Sequence, residues 1–125
     1  MGKRNKGKHF SNFTDSPAET LTLPFSTDSL TQVLKDAASD NSSYTHQQIS
    51  NWAWRFWWEC YEGSLARTTE TDPSLAAASE IALDIDAQWD IFLVNTYSME
   101  QLQTMDFTKI KLPREWFKEW LAKLD

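Results

Sequence analysis

From residue 25 to the end of the chain, apolar residues recur three and four positions apart, with no turn-punctuated alternation of apolar and polar positions. That is the period of amphipathic helices rather than of half-buried strands. Leu30, Val33, Leu34 and Ala37 form one stripe of a helix over 27–39. Ser26 is placed as its N-cap, because its hydroxyl can accept from an unpaired first-turn N–H. Phe25 and Leu30 flank that cap at hydrophobic-staple spacing.

The second helix has the clearest start. Thr45 and Gln48 make a capping box, and Tyr44 and Ile49 make the staple around it. Ile49, Trp52, Ala53, Phe56, Trp57, Cys60 and Tyr61 then follow at helical spacing, opposite a polar stripe of Asn51, Arg55, Glu59 and Glu62. Gly63 supplies the stop, since glycine enters the left-handed conformation without a side-chain clash.

A long helix opens at Asp72, with Pro73 at the first helical position where its missing N–H costs nothing, and runs to about residue 96. Leu75, Ala78, Ala82, Ile85, Trp89 and Phe92 share one face; Ala76, Leu83, Ala87 and Val94 share another. A helix apolar on two sides belongs in the middle of its bundle. Two acidic seams separate the faces, Glu80 with Asp84 and Asp86 with Asp90, and read as solvated stripes or as partners for a basic last helix. The run 89–94 also fits a buried strand, but the upstream periodicity carries through it and favours helix. Ser98 and Gln101 form a second capping box, with Tyr97 and Leu102 as its staple, ahead of a short helix over 99–106. Trp116, Phe117, Trp120, Leu121 and Leu124 line one face of a last helix over 113–124. The reading is an all-α, single-domain bundle of about five helices.

Residues 1–24 have no such periodicity; they are polar, interrupted by Pro17 and Pro24, and read as a flexible N-terminal tail before a helical domain over 25–125. Phe10, Phe13, Leu21 and Leu23 are the residues able to pin that tail to the body. The chain has 125 residues, one domain's worth, with 41% hydrophobic residues, enough to support a core.

Charge is unevenly spread. Lys3, Arg4, Lys6 and Lys8 make the tail basic, while the whole chain carries a net charge of −6. Between 59 and 106 ten acids face a single base, Arg67. An acidic body is a poor match for a nucleic-acid backbone, which needs clustered Lys and Arg. No apolar run reaches the roughly 18 residues of a membrane span. The basic start is not followed by the apolar segment of an export signal, and a single cysteine makes no internal disulfide, so a cytoplasmic location is expected.

The usual catalytic and metal patterns are missing. His9 and His46 with one cysteine do not make a zinc site, and His46, in the first turn of a helix, is expected to be solvated. Cys60 lies in an apolar stripe, where a thiol stays protonated and inert. The paired carboxylates of the acidic seams lack the Glu-x-x-His partners of helical di-metal sites. The expectation is a protein without enzymatic activity, cofactor or metal.

What stands out is the aromatic content: seven tryptophans, five of the seven positions 52–58 being aromatic. Trp54 and Trp58 are one turn apart, lie off the inward stripe and continue to Tyr61 and Leu65. One reading is a wide buried face. The other is a partly exposed partner-binding patch with Arg55 and Glu59 as its polar rim, because Trp and Tyr dominate binding hot spots. The function expected is a non-catalytic protein–protein interaction module, binding a larger partner to inhibit or adapt it, or a second copy of itself. The alternative is a nucleic-acid-associated assembly subunit using the basic tail.

Overall fold

A computed structural model describes residues 21–124. The expectations for the basic tail, Lys3, Arg4, Lys6 and Lys8 included, lie outside those residues. Six α-helices are present among the described residues: α1 Thr27–Ala38, α2 His46–Tyr61, α3 Ala66–Thr71, α4 Pro73–Thr96, α5 Met99–Thr104 and α6 Arg114–Leu124. A single 3₁₀ turn, Phe107–Lys109, sits between α5 and α6. The described residues contain no strand, and 89–94 is helical.

The predicted starts are built as their spacing requires. Ser26 Oγ accepts from Ser29 N–H, and both capping boxes, Thr45 with Gln48 and Ser98 with Gln101, are formed reciprocally. Asp72 caps α4 by accepting from Leu75 N–H at 3.1 Å. The helix that sequence periodicity misses is α3. It buries none of its residues and its N-cap, Leu65, makes no side-chain cap, so it leaves no apolar stripe to read. Thr69 Oγ1 lies within hydrogen-bond reach of two carbonyls, Ala66 O of the same helix at 2.8 Å and Cys60 O of α2 at 3.1 Å, and shares its one proton between them.

Helix α4 lies at the centre, touching α1, α2, α3 and α6; its most extensive partner is α2, while α1 packs chiefly on α6. Trp52 and Phe56 of α2, Ile85, Trp89 and Leu93 of α4, Leu30 and Leu34 of α1 and Phe117 of α6 are fully enclosed. Each such side chain contributes roughly 1.5–3 kcal/mol through removal of apolar surface from water. The core extends upstream of α1. Leu21 is buried, Trp52 Nε1 donates to Leu23 O at 3.1 Å, and Phe25 packs its ring on Trp52 and Phe56. The packed body therefore takes in Leu21 and Leu23, ahead of residue 25, and both act as pins; Phe10 and Phe13 lie outside the described residues.

Two expectations about polar residues are overturned. His46 is not solvated: it is 7% exposed, its ring stands edge-on to Phe117, and its Nδ1 accepts from Leu112 N–H at 2.7 Å. The first turn of α2 is covered by a segment more than sixty residues away in sequence, which helix position alone does not reveal. Burial and nearby Lys111 outweigh the opposing charge of Asp40 and lower its pKa to about 4. On α4, Asp86 and Asp90 are not a solvated seam; they are buried on the flank of the Ala82, Trp89 and Leu93 row, and both are engaged by partners. The anticipated second apolar face is the more open one, with Ala76, Leu83 and Ala87 half-buried and Val94 exposed. The core face has swung toward the aspartates because α4 meets its neighbours over one wide arc instead of two narrow stripes. Glu80 is exposed as expected, and Asp84 does partner the last helix, accepting from Trp120 Nε1 at 2.7 Å rather than from a base.

Candidate functional site

The C-terminal half of α2 carries four aromatic side chains in mutual contact. Trp54 and Trp58 are one turn apart and nearly parallel, with centroids 5.7 Å apart and planes at 6°. Trp57 and Tyr61 repeat the arrangement at 4.9 Å and 12°. Tilted contacts at 6.3 Å between Trp57 and Trp58, and 6.4 Å between Trp58 and Tyr61, join the two stacks. The i,i+4 spacing brings these pairs together on a helix, and each aromatic contact is worth about 0.5–1.5 kcal/mol beyond its buried area.

Exposure increases along this strip. Trp54 is only 7% exposed, Trp57 and Trp58 are half-buried, and Tyr61 is 61% exposed. The expectation that Trp54 is partly exposed is therefore wrong: its ring stacks on Trp58 and makes a tilted contact with Trp57 at 6.3 Å. Among the described residues, neither Trp54 nor Trp58 belongs to the main core, which Trp57 borders. Trp54 is thus a buried support beneath the outer rings, and the open ones are Trp57, Trp58 and Tyr61.

The two rim residues have other work. Arg55 reaches away from the strip, donating from Nη2 to Leu21 O at 2.9 Å with its guanidinium 5.7 Å from the Phe25 ring centroid, so it fastens the start of the body instead of edging the patch. Glu59 shapes the turn that ends α2. Its Oε1 accepts from Ser64 N–H and Ser64 Oγ, both at 2.8 Å, and these bonds hold its carboxyl below the usual carboxylate range. That turn requires Gly63 for space and not for a left-handed backbone: a Cβ there would lie 2.8 Å from Glu59 Cα.

Beside the strip, a cavity of about 470 Å³ opens between the end of α2, α3 and the first half of α4. Trp57, Cys60 and Tyr61 line one side, and Thr69, Glu70, Ala77 and Glu80 are among the residues opposite. Cys60 is buried, and burial together with the charge of Glu59 pushes its thiol up to about 11, far from an activated nucleophile. A smaller cavity of about 270 Å³ lies where Asp84 and Gln88 face Trp116, Glu119, Trp120 and Lys123. Among the described residues, no group of three or more His, Cys, Asp or Glu is placed to hold a metal ion, and no helix is long and apolar enough to cross a membrane.

The structure thus brings together Trp54 and Trp58, separates Arg55 from them, and adds Trp57, which the inward stripe had claimed; Tyr61, which spacing had assigned both to that stripe and to the continuation of the Trp54–Trp58 pair, stands with the strip. The i,i+4 spacing of 57 and 61 was visible in the sequence; which flank of the stripe stays open depends on how little α3 covers. No protein-family model, curated protein or solved structure matches this chain.

Proposed function

We propose that this protein is a non-catalytic interaction module of the cytoplasm that binds a larger protein, inhibiting or adapting it, through the aromatic strip at the end of α2. The observation that supports this reading is the stacked four-ring cluster, whose outer members Trp57, Trp58 and Tyr61 remain partly or largely open to solvent. Rings held by mutual stacking lose little freedom on binding, which favours affinity per contact. Large rigid aromatics of this kind are the residues on which binding energy concentrates.

The test compares the wild-type chain with Trp58→Ala as bait in native lysate, with sedimentation of each protein alone. A partner retained by the wild type and weakened about thirtyfold by Trp58→Ala, a loss of roughly 2 kcal/mol, is the expected result. Equal retention by a folded Trp58→Ala protein refutes the strip as the contact surface. A wild-type dimer that Trp58→Ala dissociates makes the partner a second copy of the chain.

A further inference from the structure

The cavity next to the strip has a chemistry of its own. Its volume of about 470 Å³ is within the roughly 300–1,000 Å³ of ligand-holding sites. One wall is the Trp57–Tyr61 stack, over buried Cys60. Glu70 and Glu80 also line it, and among the described residues no Lys or Arg does. Among the described residues, neither carboxylate is in an ion pair. The surrounding segment, 59–106, has ten acids and only Arg67 against them. A cleft with one sign of charge and low-dielectric walls focuses its field on whatever enters.

An anion is repelled by that field, and a neutral guest leaves it uncompensated. A cation with a flat, weakly hydrated face satisfies both walls: it lies against aromatic rings and offers N–H donors to carboxylates. Guanidinium fits that description better than ammonium, which is compact and strongly hydrated. We infer that this cavity is a subsite for an arginine side chain presented by the partner protein, seated between the Trp57–Tyr61 stack and the carboxylates of Glu70 and Glu80. The inference rests on the strip being a partner-binding surface and specifies what the partner brings to it.

The experiment is an NMR titration of the full ¹⁵N-labelled chain with a short capped peptide carrying two arginines between glycines. Two control peptides replace arginine by citrulline, which is isosteric and neutral, or by lysine. The arginine peptide should shift the Trp57 indole and the Thr69 and Ala77 amide resonances, with affinity falling several-fold as salt rises from about 50 to about 300 mM. Citrulline and lysine peptides should bind at least about fivefold more weakly, as should Glu70→Gln/Glu80→Gln tested with the arginine peptide. Both glutamates are exposed, so that variant should keep the wild-type melting midpoint. Ala77→Phe, which fills the cavity from an exposed helical position, should abolish the shifts as a second, independent block.

A flat titration overturns the inference. So do equal binding of the citrulline or lysine peptide and arginine binding indifferent to the double glutamine variant. These outcomes are separable from failure of the strip reading. That failure shows as partner capture indifferent to Trp58→Ala, and Trp58 does not line the cavity.

Discussion

At its N-terminal end α2 is enclosed: Ile49, Trp52 and Phe56 are fully buried, and His46 is bonded to the backbone at Leu112. At its C-terminal end the same helix leaves Trp57 and Trp58 half-open and Tyr61 exposed, beside a cavity. Both ends are rich in aromatic residues, so residue type does not decide burial here. The neighbours do. The first end lies against the segment that leads into α6 and carries the strap from Leu21 to Phe25. The second meets α3, a six-residue helix that buries none of its own side chains. A short polar helix beside large apolar rings leaves them uncovered, which is what a binding surface needs and a core does not.

The largest test of that contrast substitutes one indole at each end. Trp52→Ala empties a fully enclosed site and removes the donor to Leu23 O, so it should cost about 3–5 kcal/mol. Trp58→Ala should cost only about 1–2 kcal/mol of folding stability, within the range of ordinary substitutions. Urea unfolding of both variants measures the difference. Similar losses would place Trp58 in the core and end the distinction between the two ends.

The enclosed end should also be sensitive to acid. Folded His46 stays neutral down to about pH 4, while in the unfolded chain it titrates near 6.5. As pH falls, the unfolded state takes up the proton first. The stabilisation is therefore complete above about pH 6.5, declines between 6.5 and 4, and loses nothing more from this group below that range. The gap corresponds to on the order of 3 kcal/mol at most. Urea midpoints of wild type and His46→Gln at several pH values isolate the effect from the carboxylates. The wild type should show the steeper decline between pH 6.5 and 4, and parallel profiles would mean the Leu112 bond does not depend on the neutral ring.

His46 also shows where the sequence ceased to be readable. The helix starts were legible because caps and staples are local: Ser26, Thr45 with Gln48, Asp72 and Ser98 with Gln101 act within four residues. Burial of polar residues was not legible, because it comes from distant segments, as Leu112 does for His46 and Trp120 for Asp84. Period counting placed two apolar faces on α4, whereas packing selected one arc that takes in Asp86 and Asp90. The aromatic site was half legible. Trp54 and Trp58 were paired correctly by spacing, but the open side could not be chosen without knowing that residues 66–71 form a helix contributing nothing to the core.

A smaller effect is expected at the turn that closes the open end. Gly63→Ala places a methyl 2.8 Å from the backbone at Glu59 Cα, which cannot rotate away as a side-chain tip would. Relief requires the turn to shift and loosens the Glu59–Ser64 bonds, at a cost of about 1–3 kcal/mol. Because this turn leads from Tyr61 into α3, partner binding should weaken along with stability. A drop in the thermal midpoint with unchanged binding would show that the strip does not depend on the geometry of the turn.

Cys60 should give the smallest change of all. It sits between the two regions, buried beneath the cavity yet on the same helical face as the core. Removing its sulfur deletes one atom from a site already bordering open space, so Cys60→Ala should cost about 1 kcal/mol, at the low end of cavity-forming substitutions. Binding through the outer rings should stay within about threefold, a difference under 1 kcal/mol. The wild-type thiol, with a pKa pushed up to about 11, has a thiolate fraction near pH 7 on the order of one in ten thousand. Labelling by a maleimide should therefore be slow and should accelerate about tenfold per pH unit while the fold is intact. Fast labelling at neutral pH that slows on adding the arginine peptide would show that the cavity exposes Cys60 more than its 6% accessibility indicates. Cys60 would then be a reporter of the open end instead of a member of the enclosed one.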